Sequence, residues 1–120
     1  MKFKFTMLLG GLLLLVVASN AHATTETMQK EINHLLSFIE QSSCTFVRNG
    51  DEHSAKDALK HIKRKYDHYE DDIDSAEKFI ELSATKSTMS GKFYYVSCDG
   101  DKQKSQDWLL EELNQYRGSK

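Results

Sequence analysis

The chain has 120 residues, with 16 lysines and arginines against 18 aspartates and glutamates, two cysteines and no proline. That length allows at most one independently folding unit of ordinary size. A formal charge of −2 excludes the strongly basic footprint of a protein that lives on nucleic acid, and 28% charged with 39% hydrophobic residues excludes a disordered chain.

The apolar content is unevenly spread. Met1-Lys2-Phe3-Lys4 is a short basic start, Phe5 to Val17 is apolar apart from Thr6, Gly10 and Gly11, and Ala21-His22-Ala23 has the small-x-small form that signal peptidase reads. The pattern predicts a secretory signal peptide over residues 1–23, cleaved after Ala23. Its apolar run is shorter than the roughly 18 to 20 residues needed to cross a bilayer. No stable membrane anchor is therefore expected after cleavage, and the protein is expected in the periplasm or outside the cell. Cleavage would take 23 of the 120 residues and leave 97, residues 24–120, as a single domain; losing Lys2 and Lys4 moves the formal charge from −2 to −4.

In the oxidising compartment that such a leader implies, Cys44 and Cys98 are expected to form a disulfide. Closing a loop of about 55 residues constrains the unfolded chain by roughly 4 kcal/mol, which matters to a domain with a small core. There is no C-x-x-C, and this spacing fits neither a redox motif nor a zinc knuckle.

The first mature element is a helix. Thr24 and Thr25 precede Glu26 as a cap-like opening, and Met28, Ile32, Leu35, Leu36 and Ile39 recur at three- and four-residue intervals up to an end near Ser42. Cys44 to Arg48 then turns to β-branched and aromatic residues, and Asn49-Gly50 predicts a tight hairpin with a short returning strand through His53. Ser54 with Asp57 caps a second helix, whose stripe is Ala55, Ala58, Leu59, Ile62, Tyr66, Tyr69 and Ile73. Glu70-Asp71-Asp72 interrupts it with like charges, and Asp74 or Ser75 caps a third helix carrying Ala76, Phe79 and Ile80.

From Ala84 to Lys92 the chain is a hydroxyl-rich loop, unstiffened by proline. Phe93 to Cys98 is the next strand, closed by Asp99-Gly100, and Ser105 is expected to cap a last helix in which Leu109, Leu113 and Tyr116 share a face and Trp108 is half buried. The fold class that follows is α+β: four helices, one of them short, with a small antiparallel sheet. The strands that hold Cys44 and Cys98 are expected to be neighbours, because bridged Cα atoms lie within about 7 Å.

The motifs of common chemistries are missing: there is no G-x-S-x-G, no phosphate-binding glycine loop and no H-E-x-x-H. His61 and His68 share a helix face but stand two turns apart, about 10 Å, too far to hold one metal directly. Neither a metal nor a cofactor is expected, and no catalytic residue is assigned. Lys60, Lys63, Arg64 and Lys65 read as a solvated basic face balanced by Asp57 and Asp67. Two segments go beyond what folding needs: the hairpin Phe46 to Gly50, where Arg48 adds a forked donor beside Asn49, and the hydroxyl-rich segment Ser83 to Tyr94.

Phe46-Val47-Arg48-Asn49-Gly50, Ala58-x-x-His61-x-x-x-Lys65, Phe79-Ile80, Ala84-Thr85-x-Ser87-x-x-Ser90-Gly91-x-x-Tyr94 and Trp108-Leu109 together resemble a family of small exported bacterial proteins of unknown function, the YfeK-like proteins. The resemblance runs from about Ile32 to Tyr116. It implies a bacterial exported protein with one small domain and no assigned activity, cofactor or substrate. It also marks Arg48, His61, Lys65, Ser87, Ser90 and Tyr94 as matched polar positions. Where members of that family carry a proline after the Ser-Gly-x stretch, this chain has Phe93.

The leading expectation is a binding module without catalytic activity that recognises an anionic group, a glycan or an envelope protein, and no nucleic acid, through Arg48, Asn49, His61, Lys65, Ser87, Ser90 and Tyr94. The competing expectations are a small envelope enzyme with His61 as base, an inhibitor of an envelope hydrolase built on Ser90-Gly91-x-x-Tyr94, and self-assembly through the aromatic strand Phe93 to Val96. The sequence leaves the oligomeric state open.

Overall fold

The computed structural model describes the backbone of residues 12–119 and the side chains of residues 25–119. The expected leader, residues 1–23, lies outside the described side chains, and its residues 1–11 lie outside the described backbone as well.

The first helix, α1, runs from Leu12–Gln41, so Thr24 and Thr25 sit within it and do not cap a helix starting at Glu26. Neither glycine nor proline occurs between those bounds, and nothing interrupts the backbone hydrogen bonding. Its stripe of Ile32, Leu35 and Ile39 is fully buried. At its end the N–H and hydroxyl of Ser42 both donate to the carbonyl of Ile39, at 3.2 and 2.9 Å.

Two tight hairpins make the sheet. β1 (Thr45–Arg48) turns through Asn49 and Gly50 into β2 (Asp51–His53), and β3 (Tyr95–Cys98) turns through Asp99 and Gly100 into β4 (Asp101–Lys104). All four turn residues have positive φ, 54° and 84° in the first turn and 51° and 87° in the second, the backbone that a two-residue hairpin of this hand requires. The sheet is antiparallel throughout, in the order β2-β1-β3-β4.

β4 is the element that the sequence does not announce. Asp-Lys-Gln-Lys has no apolar residue and no alternation, and it is a strand because its backbone pairs with β3 from Cys98↔Asp101 to Tyr95↔Lys104. Charged side chains on both edge strands also discourage pairing with a second chain. The Cys44–Cys98 disulfide joins the neighbours β1 and β3, with the Cα atoms 4.5 Å apart.

α2 (Ala55–Tyr69) begins on Ser54, whose Oγ accepts the N–H of Asp57 at 3.2 Å. After one turn of 3-10 helix at Glu70–Asp72, α3 (Ala76–Ser83) begins on Ser75, whose Oγ accepts the N–H of Lys78 at 3.0 Å. The last helix, α4 (Ser105–Gly118), departs from expectation: its cap position is Lys104, with no side-chain bond, and Ser105 is already helical and buried. The pairing of β4 runs to Lys104, so the helix starts where the ladder stops, and the N–H of Ser105 donates to the Tyr94 carbonyl.

One apolar core serves all of these elements. Phe46 and Val96 face each other across β1 and β3 and are buried with Leu109 and Leu113 of α4, Ile32, Leu35 and Ile39 of α1, Leu59 and Ile62 of α2, and Phe79 and Ile80 of α3. Trp108 is half buried between Phe38, 4.5 Å away, and Phe46, 5.6 Å away. On the helical side Arg117 forks between two carboxylates. It donates to Glu31 at 2.8 and 2.9 Å and to Glu77 at 2.7 and 3.0 Å, tying α4 to α1 and α3.

Candidate functional site

The two segments singled out by sequence meet. Arg48 ends β1 and Asn49 opens its turn, while His61 and Lys65 stand one turn apart on α2. Between α3 and β3 the chain makes an excursion that brings Ser87 and Tyr94 to the same place. These six side chains line one open cleft of about 450 Å³, together with Arg64, His68, Tyr69, Thr88 and Met89. Ser90 is not in its wall, but its hydroxyl donates to Asn49 Oδ1 at 2.6 Å and so ties the excursion to the hairpin turn.

That excursion is not the loose loop expected from its polarity. The N–H of Tyr94 donates to the Thr85 carbonyl and that of Ser87 to the Lys92 carbonyl, each at 2.9 Å, and Lys86 bridges Phe93. The Thr85 hydroxyl donates to the Ile80 carbonyl at 2.8 Å, Ser87 Oγ accepts the N–H of Ser90 at 3.2 Å, and Ser90 Oγ accepts that of Lys92 at 3.2 Å. Hydroxyls bonded to nearby backbone supply the stiffness that proline would otherwise give. Gly91 (φ 75°) completes the turn in a conformation that suits glycine.

The floor of the cleft is built around the Tyr94 hydroxyl. Lys65 Nζ donates to it at 3.2 Å and to the Lys86 carbonyl at 2.9 Å, and His61 Nε2 lies 3.1 Å from the same hydroxyl. With the lysine donating, the phenol is left to donate its own proton to His61 Nε2, which assigns the imidazole proton to Nδ1. Burial, followed by the charges of Arg48, Lys65, Arg64 and His53, pushes the His61 pKa down to about 4, so the ring is neutral at pH 7. Burial also lowers the Lys65 pKa and raises that of Tyr94, the latter against an opposing pull from Arg48.

The electrostatics of the wall are one-sided. Arg48, Arg64 and Lys65 all line the cleft, and no carboxylate does. Among the described residues none of the three makes an ion pair; even Asp51, opposite Arg48 in the hairpin register, is not within ion-pair distance. A concave surface of one sign focuses the field on a ligand of the other. Among the described residues no three of His, Cys, Asp and Glu come together to hold a metal ion, and no helix is long and apolar enough to cross a membrane.

Sequence reasoning missed Arg64, His68, Tyr69, Thr88 and Met89 as cleft residues. For the first two a signal existed, since positions 61, 64, 65 and 68 follow the helical repeat and share a face of α2. Arg64 belongs to that face and not merely to a solvated basic cluster. Tyr69 packs against the core as its place in the apolar stripe predicts, and its hydroxyl also reaches Thr88 Oγ1 at 3.5 Å. Met89, 97% exposed at the rim, carries no sequence signal at all.

Residues 26–117 match the model of a family of unknown function (DUF5329). The chain is 38% identical over 84 residues to the uncharacterized protein YfeK of Salmonella typhimurium, an alignment that covers 69% of this chain and 68% of that protein. No solved structure matches the chain.

Proposed function

Because the chain belongs to this family of unknown function, its role has to be read from the site, and we propose that it is an exported binding protein that takes an anionic group into the cleft between α2, the β1–β2 turn and the excursion before β3. The observation that carries the reading is the set of three cations, Arg48, Arg64 and Lys65, in one concave wall without a carboxylate. On a chain of net negative charge such a concentration is costly to assemble, and a bound anion offsets it. The side chains fit the role: the arginines offer planar forks that match carboxylate, sulfate or phosphate oxygens, while Asn49 and Thr88 add neutral donors. Export is supported by the leader-like residues 1–23 and by the disulfide, which persists in oxidising compartments.

Catalysis by His61 has weaker support. The ring does line the cleft, but its Nε2 is already within hydrogen-bond distance of the Tyr94 hydroxyl.

The test is a titration of the purified protein with inorganic phosphate at low ionic strength, followed by amide NMR. Signals of Arg48, Asn49, Ser87, Thr88 and Met89 should shift together, and Arg48→Glu with Arg64→Glu should weaken binding by about tenfold or more while leaving the unfolding temperature in place. Shifts scattered away from these residues, or a double variant that binds phosphate as the native protein does, would refute the reading.

A further inference from the structure

The cationic cleft has a neighbour. A second cleft of about 440 Å³ lies against the same hairpin, with Phe93, Tyr95, Lys92 and Lys102 in its wall. We propose that the two form one continuous site for an acidic saccharide chain, with anionic substituents held by the cations of both clefts and sugar rings stacked on Phe93 and Tyr95. This rests on the anion-binding reading of the first cleft.

Three observations join the two clefts. Asn49 lines both. The excursion before β3 also serves both, contributing Ser87, Thr88 and Met89 to the first and Lys92 and Phe93 to the second. Between those two stretches of chain stands Ser90, which lines neither cleft and donates its hydroxyl to Oδ1 of Asn49, the residue common to both. A ligand that passes Asn49 meets positive charge in either cleft.

The second cleft is formed by the sheet face turned away from the helices. Phe46 and Val96 point into the core, so Val47 and Tyr95, paired across β1 and β3, point outward with Lys104 opposite Tyr95. Phe93 is 38% exposed, with Lys104 Nζ 4.1 Å from its ring centre, and Lys102 Nζ lies 5.0 Å from the centre of the Tyr95 ring. Among the described residues Lys92, Lys102 and Lys104 form no ion pair. Core formation does not require an exposed Phe93 and a half-buried Tyr95 each with a lysine ammonium over its ring that has no carboxylate partner among the described residues, and a small anion would need no aromatic ring. A saccharide carrying acidic groups uses both, its apolar C–H faces resting on the rings and its charges on the lysines. A single-stranded nucleic acid also combines stacking with negative charge. The saccharide is favoured because the domain as a whole is acidic and its disulfide belongs to compartments outside the cytosol.

The experiment titrates the purified protein with four probes: inorganic phosphate, tetragalacturonate, a heparin tetrasaccharide and an oligothymidylate of eight nucleotides. Lys92→Glu with Lys102→Glu should weaken at least one tetrasaccharide by about tenfold or more and leave the phosphate-induced shifts of Arg48, Ser87 and Thr88 in the first cleft in place, whereas Arg48→Glu with Arg64→Glu should weaken the tetrasaccharide and abolish those shifts. Phe93→Ala should weaken the tetrasaccharide alone. Should the charge-reversed pair fail to fold, Lys92→Gln with Lys102→Gln asks the same question. The two-cleft proposal falls if phosphate binds but neither tetrasaccharide does, if the Lys92 and Lys102 variants bind the tetrasaccharides as the native protein does, or if the oligothymidylate binds as tightly as either saccharide. Failure of the anion-binding reading shows separately, as phosphate binding that is absent or indifferent to Arg48 and Arg64.

Discussion

Arg117 and Arg48 are both forked cations on an acidic chain, and their surroundings are opposite. Arg117 lies between Glu31 and Glu77, every donor it directs at them within 3.0 Å of a carboxylate oxygen, and those bonds raise its pKa above the ordinary value and lower that of Glu77. Arg48 faces Arg64, Lys65 and His61 with no carboxylate in the same wall. A cation matched by acids from two other helices holds helices together. Cations gathered without acids leave their field available to something outside the chain, and at His61 that field adds to burial, the larger cause, in holding the ring neutral.

The largest test of this contrast is the staple that positions Arg48. Cys44→Ala with Cys98→Ala should lower stability by roughly 4 kcal/mol on the chain-entropy model, read as a fall in the urea midpoint. A loss below about 1 kcal/mol would mean that the β1–β3 ladder keeps the cleft edge in place unaided. Next comes the direct comparison of the two arginines. Arg117→Ala should cost about 1–2 kcal/mol, moderated by solvent because the side chain is 37% exposed. Arg48→Ala should be neutral or slightly stabilising, since it relieves repulsion. Equal losses in the two thermal unfolding curves would erase the distinction between matched and unmatched charge.

Tyr94→Phe is a smaller probe. It removes the hydroxyl shared by Lys65 and His61 at a cost of about 1 kcal/mol. It also removes the donor that favours the neutral imidazole, so an NMR titration should find the His61 pKa raised from about 4. The mildest effect is on pH dependence. The folded His61 pKa lies below its ordinary 6.5, so between those values the unfolded state binds more protons and stability rises with pH. The contribution is whole above pH 6.5 and is lost as the pH falls toward 4, and a His61→Gln variant should show a flatter stability profile across that window.

Much of the fold was legible because its causes are local. Asn49-Gly50 announces a hairpin and Asp99-Gly100 a turn, since few residue pairs accept two successive positive φ angles. Ser54 announces one helix start and the pair Asp74-Ser75 another, where the structure uses Ser75, since each cap bond spans three residues. The candidate site was half legible. Arg48, Asn49, His61, Lys65, Ser87 and Tyr94 were singled out one by one and share a wall, while Ser90 ties that wall together from behind. Arg64 was hidden in a basic run whose expected balancing acids, Asp57 and Asp67, form no ion pair among the described residues. β4 was hidden because nothing in Asp-Lys-Gln-Lys prefers a strand until β3 lies beside it.

By itself, then, the sequence determined the turns, the starts of α2 and α3, the apolar stripes and the one way two cysteines can pair, all consequences of backbone sterics, short-range periodicity and simple counting. Only the tertiary structure decided which charges meet acids and which do not. Residues 31, 77 and 117 become a clamp and residues 48, 64 and 65 an unneutralised wall because Coulomb interactions depend on distance in space, and folding sets that distance for residues far apart in the chain.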